Sequence, residues 1–128
     1  MSIDSAVSVR DHLKAETLFQ DRSLRFVENH DEERACVVFG KKKSQAAGIV
    51  AGTVQGMRFF HDGQLEGRRI RTPIHLRREP KEPADPEAAD TYRKLLQFTH
   101  SAIVHDGQWM LLERERAWDR NETYQGIL

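Results

Sequence analysis

The sequence predicts an α/β fold assembled from parallel βαβ units, and three observations lead there. Two short apolar runs, Leu24 to Glu28 and Gly56 to His61, each end in a polar cluster, as strands do at a sheet edge. A stretch of helix formers lies between them. Helical and extended segments then keep alternating, which is the order of strands joined by crossover helices.

Each element has its own reason. Residues from about Val7 to Gln20 are rich in helix formers, although their apolar spacing is only fair. Leu24-Arg25-Phe26-Val27 is a compact apolar run stopped by Glu28-Asn29-His30-Asp31-Glu32. Ser44 to Val54 carries Ala46, Ala47, Val50 and Val54 at helical spacing, an amphipathic pattern. Gly56-Met57-Arg58-Phe59-Phe60-His61 reads as the second strand, closed by the turn residues Asp62-Gly63. The basic, proline-punctuated segment from Arg68 to Pro86 reads as loop. Ala88 to Ile103 has the clearest helical period, with Tyr92, Leu95, Leu96, Thr99 and Ile103 on one face. Trp109-Met110-Leu111-Leu112, introduced by Asp106-Gly107, reads as a last strand.

A length of 128 residues suits one domain with one modest core. Twenty basic residues balance twenty acidic ones, so nothing in the net charge favours nucleic acid or an anionic membrane. Mean hydropathy is −0.68, and no apolar run approaches the ~20 residues that span a bilayer. Met1-Ser2-Ile3-Asp4-Ser5 lacks the basic and apolar regions of a signal peptide. Cys36 is the single cysteine, which excludes an intrachain disulfide and suits a reducing compartment. The expected location is the cytoplasm.

Two polar clusters carry the chemistry. In Asn29-His30-Asp31 a carboxylate able to stabilise developing positive charge stands beside an imidazole able to bond a hydroxyl. The plain alternative is that Asn29 and Asp31 cap a turn. Phe60-His61-Asp62-Gly63-Gln64 follows the second strand. In a parallel sheet the two clusters would share one edge, which favours a site. His30, His61 and His75 have no zinc-ligand spacing, so no metal or cofactor is expected. Cys36 beside Val37 and Val38 reads as an inert, buried thiol. Lys41-Lys42-Lys43, disfavoured at a helix start, reads as solvated loop. Trp109 and Trp118 read as packing residues.

The ordered series Phe26-Val27-Glu28-Asn29-His30-Asp31-Glu32, Arg34, then Gly56-Met57-Arg58-Phe59-Phe60 and Gly63-Gln64 resembles the carboxyl-terminal part of the catalytic barrel in α-amylase-superfamily glycoside hydrolases. There the Asn-His-Asp motif follows the seventh barrel strand, and a Gly-Gln loop ends the eighth. The likeness runs from about Leu24 to Trp109. It implies a piece of a (β/α)8 TIM barrel, about strands 7 and 8 with flanking helices. Residues 1–104 would belong to that barrel, and 105–128 would begin a C-terminal β-sandwich domain. Asp31 would match the family's transition-state-stabilising carboxylate. His30, Asn29 and Gln64 would meet the substrate. Glu33 and Gln55 stand where the family usually has proline.

The resemblance also limits the chemistry. The family's aspartate nucleophile and glutamate acid precede every segment matched here. Retaining hydrolysis needs two carboxyl groups roughly 5–5.5 Å apart, one as nucleophile and one as acid/base. Asp31 alone cannot perform double displacement. The resemblance therefore implies a fragment of a retaining glycosidase for α-glucosidic linkages, inactive by itself. Its origin would be a truncated frame, an incomplete gene model or a split enzyme. The expected partners are a carbohydrate substrate and either a complementary amino-terminal barrel polypeptide or further copies of the chain. The second reading is a small non-catalytic carbohydrate-binding or interaction protein.

Overall fold

The computed structural model describes residues 6–75 and 78–122. The elements in chain order are α1 (Ala6–Leu13), α2 (Thr17–Asp21), β1 (Leu24–Arg25), α3 (Ala35–Val38), α4 (Lys41–Thr53), β2 (Met57–Arg58), α5 (Pro86–Thr99) and α6 (Ala102–Asp106). The strands pair in parallel, Leu24 opposite Met57 and Arg25 opposite Arg58. They make a two-stranded sheet. The ladder is carried by Met57 N–H donating to the Ser23 carbonyl at 2.9 Å and Phe59 N–H to the Arg25 carbonyl at 2.9 Å.

This corrects the expected fold class. The chain is a small, mostly helical unit with two short parallel strands, not the end of a (β/α)8 barrel joined to a β-domain strand. Each strand lasts two residues because no other described strand pairs with either edge. The segment Trp109 to Leu112 forms no strand. The Leu112 carbonyl instead accepts a hydrogen bond from the Arg10 guanidinium, and Glu113 pairs with Arg10 and Lys14 at 3.2 Å each. Residues 123–128 of the expected β domain lie outside the described residues.

Helix boundaries moved for local reasons. The Val7–Gln20 stretch is two helices, α1 and α2, with Gln20 folded back so that its amide donates to the His12 carbonyl at 2.7 Å. The long last helix ends at Thr99, and α6 starts anew at Ala102. At the other end of α5, Asp85 caps the helix by accepting from Glu87 N–H at 2.9 Å and Ala88 N–H at 3.3 Å, and Pro86 fills the first turn.

The core lies between α4 and α5. Its α5 side is Ala88, Tyr92, Leu95 and Thr99, at helical spacing. Its α4 side is Ser44, Gln45, Gly48 and Gly52; of the apolar residues expected there, Val54 at the end of the helix is buried, Ala47 and Val50 are half-buried and Ala46 is exposed. A Cβ on Gly48 would stand 2.4 Å from the Tyr92 hydroxyl, and one on Gly52 3.0 Å from Leu95. The two glycines thus let the α5 side chains reach the α4 backbone. Lys41 and Lys42 are helical rather than loop, because Asp85 and Glu87 at the start of α5 neutralise them.

Among the described residues six apolar side chains are buried, against nine polar or charged ones. Hydrogen bonding must therefore hold much of the interior, since each buried polar group without a partner would cost about 1–3 kcal/mol. Leu24, Phe26, Met57 and Phe59 on and after the strands are 40% exposed or more. Trp118, expected to pack, is 65% exposed. Among the described residues no helix is long and apolar enough to cross a membrane.

Candidate functional site

Because β1 and β2 run parallel, the chain leaves both strands on the same side of the sheet. The clusters Glu28–Asp31 and His61–Gln64 are joined there, and Arg34 is the link. Its Nη1 stands 2.6 Å from Glu28 Oε1, 2.9 Å from His61 Nδ1 and 2.7 Å from the Asp62 carbonyl. Its Nε donates to the Ile70 carbonyl at 3.2 Å. His61 Nδ1 also lies 3.6 Å from Glu28 Oε1, so the imidazole stands against both the guanidinium and the carboxylate. Glu28 Oε2 accepts the Ala35 N–H at 2.7 Å, so the carboxylate also anchors the first turn of α3.

Below that pair lies Gln64, which is 4% exposed. Its side-chain oxygen accepts the His61 N–H at 3.2 Å, and its amide donates to the Tyr92 hydroxyl at 2.9 Å. Burial pushes the Tyr92 hydroxyl pKa up, against the pull of the Gln64 bond. A cavity of about 60 Å³ opens between Glu28, Cys36, Gln45, Gln64, Arg68 and Tyr92. Small-molecule pockets start near about 300 Å³, so a sugar ring does not fit inside.

Asn29, His30 and Asp31 sit outside this knot. The Asn29 side chain accepts the Asp31 N–H at 2.8 Å and the Glu32 N–H at 3.2 Å, an Asx turn that fixes the loop. His30 Nε2 lies 3.3 Å from Asp31 Oδ1, with the two side chains 61% and 75% exposed. The His30 carbonyl accepts from Arg71 Nε at 3.4 Å. The sequence-derived site residues therefore fall into two groups. Asn29, His30 and Asp31 share an exposed turn, while Gln64 is turned inward against α5.

Sequence reasoning named Glu28, Arg34, His61 and Tyr92 separately but missed that they gather in one largely buried cluster. The available signal was Glu28 closing an apolar run with an arginine six residues on, a spacing with no periodic meaning. Cys36 is half-buried, its Sγ donating to the Arg68 carbonyl at 3.0 Å. Burial, reinforced by the Glu28 carboxylate, pushes its thiol pKa up. Among the described residues no group of three or more His, Cys, Asp and Glu side chains is arranged to hold a metal ion.

Compared with known proteins, the chain matches no family model, no curated protein and no solved structure.

Proposed function

We propose that the chain serves an α-amylase-type retaining glycosidase, presenting Asp31 as the carboxylate that stabilises an oxocarbenium-like transition state on α-glucosidic substrates. His30 binds sugar hydroxyls beside it, and the chain is inactive without a polypeptide that supplies the nucleophile and the general acid. One observation carries this reading: the exposed His30–Asp31 pair, 3.3 Å apart, held on an Asn29 turn just past the end of β1.

The exposure of Asp31 explains why a second polypeptide is part of the proposal. In open water a carboxylate's field is weakened by the solvent, whereas charge stabilisation in catalysis works from dry, preorganised sites. Covering the turn would strengthen Asp31, and the missing pair of carboxyl groups would arrive with the cover. The exposed Leu24, Phe26, Met57 and Phe59 support such a cover, since apolar surface on and beside two open strand edges favours association.

The test is hydrolysis of an aryl α-glucoside by the chain alone and with the amino-terminal part of an α-amylase-type enzyme carrying the aspartate and glutamate. No turnover alone and retained anomeric configuration in the mixture are expected. Inactivity of every mixture removes the proposal. Sugar binding without turnover in any mixture would identify a non-catalytic carbohydrate binder.

A further inference from the structure

We infer that the groove between β2, α5 and α6 is a binding site for a small organic phosphate monoester. It is a shallow groove of about 520 Å³, largely open to solvent, lined by Arg58, Phe60, Leu96, Gln97, Thr99, His100 and His105. That volume lies in the range of about 300–1,000 Å³ typical of small-molecule pockets.

The lining is one-sided in its chemistry. Among the described residues the Arg58 side chain has no hydrogen-bond or carboxylate partner, and its Nε is buried from water. A buried guanidinium N–H without an acceptor is costly, and an anion removes that cost. The His100 and His105 rings approach edge to face with centroids 6.3 Å apart. Each imidazole can donate an N–H in either protonation state. Gln97 already uses its side-chain oxygen to accept from Arg93 Nη1 at 3.2 Å, which leaves its NH₂ to donate. No carboxylate lines the groove. Asp106, which ends α6 next to His105, is not among the lining residues.

These donors come from β2, α5 and its C-terminal end, and α6, and line one groove, a number that suits the several oxygens and near-double charge of a phosphate better than a two-oxygen carboxylate. Phe60 and Leu96 add an apolar wall, so the ester group is aromatic or aliphatic. Phe60 is held in place by an edge-on contact to Tyr92, with centroids 5.9 Å apart.

The experiment is an amide NMR titration of the full chain with phenyl phosphate, inorganic phosphate and phenol. Phenyl phosphate should saturate, shift the signals of Arg58, Gln97, His100 and His105, and bind more tightly than either other probe. Arg58→Gln should weaken it by about tenfold to a hundredfold, the size of a charge-assisted hydrogen bond. If that variant does not fold, the exposed pair His100→Gln with His105→Gln decides the matter by the same loss of affinity. Absence of saturation, shifts mapping elsewhere, or unchanged binding in the folded variants would overturn the inference.

Discussion

Arg34 Nη1 lies 2.6 Å from Glu28 Oε1, and their side chains are only 4% and 3% exposed. The pair closes the loop between β1 and α3, and the further contacts of Arg34 to His61 Nδ1 and the Asp62 carbonyl tie that loop to the segment leaving β2. Its worth depends on the hydrogen bonds around it, because desolvating two charges offsets much of their attraction. Glu28→Ala should leave a buried, uncompensated guanidinium and cost about 3–5 kcal/mol. Combining Glu28→Leu with Arg34→Met should lose less than the sum of the single losses, by at least about 1 kcal/mol. Urea unfolding of Glu28→Ala, of the single variants Glu28→Leu and Arg34→Met and of their combination checks both figures.

Gly48→Ala tests the approach of α5 to α4. Alanine gains about 1 kcal/mol of helix propensity over glycine. The new Cβ would nevertheless stand 2.4 Å from a Tyr92 hydroxyl that Gln64 holds in place. Overpacking of this kind costs about 1–3 kcal/mol, so the variant should be less stable, not more. Adding Tyr92→Phe should restore part of the loss, as read from thermal midpoints.

The start of α5 should be acid-sensitive. Lys41 Nζ lies 2.8 Å from both Asp85 Oδ2 and Glu87 Oε2, and its bonds hold both carboxyl pKa values below the usual range. A carboxylate whose pKa falls on folding stabilises the fold above its unfolded pKa. That contribution disappears as pH drops through the folded value. The bonds of Asp85 and Glu87 raise the Lys41 pKa, so its share is full below its unfolded pKa and is lost only as pH rises through the higher folded one. Carbon-detected titration of Asp85 and Glu87 in Lys41→Met should show both carboxyl groups returning toward ordinary values.

Cys36 should react slowly. Its raised thiol pKa and its bond to the Arg68 carbonyl both reduce the thiolate that alkylation needs. Iodoacetamide at neutral pH should label the native chain more slowly than the urea-unfolded chain. Equal rates would show that the segment around Cys36 is open.

The sequence made α5 readable because Tyr92, Leu95 and Thr99 repeat at helical spacing, whereas its start at Asp85-Pro86 was read as the end of the preceding loop. It misled at α4, where the packed face is two glycines with Ser44 and Gln45, residues that register weakly in any apolar pattern. The parallel relation of the strands followed from the helix between them. Their brevity, and the failure of Trp109 to Leu112 to become a strand, did not follow, because pairing depends on which neighbours an edge finds. At the site, Asn29 was legible as a turn former. The buried roles of Glu28 and Gln64 were not, because partners such as Arg34 and Tyr92 have no periodic relation to them in sequence.

The most direct test of the proposed function is the effect of Asp31→Asn on aryl α-glucoside hydrolysis when the chain is combined with a polypeptide carrying the aspartate nucleophile and glutamate acid of an α-amylase-type enzyme. The expected result is a fall in kcat of about 10²–10³, as for loss of a group aimed at transition-state charge, with KM little changed. His30→Ala should instead act mainly on KM. Activity that survives Asp31→Asn, or hydrolysis by the chain alone, would contradict the assignment of Asp31 as a charge-stabilising carboxylate that needs its catalytic partners from elsewhere.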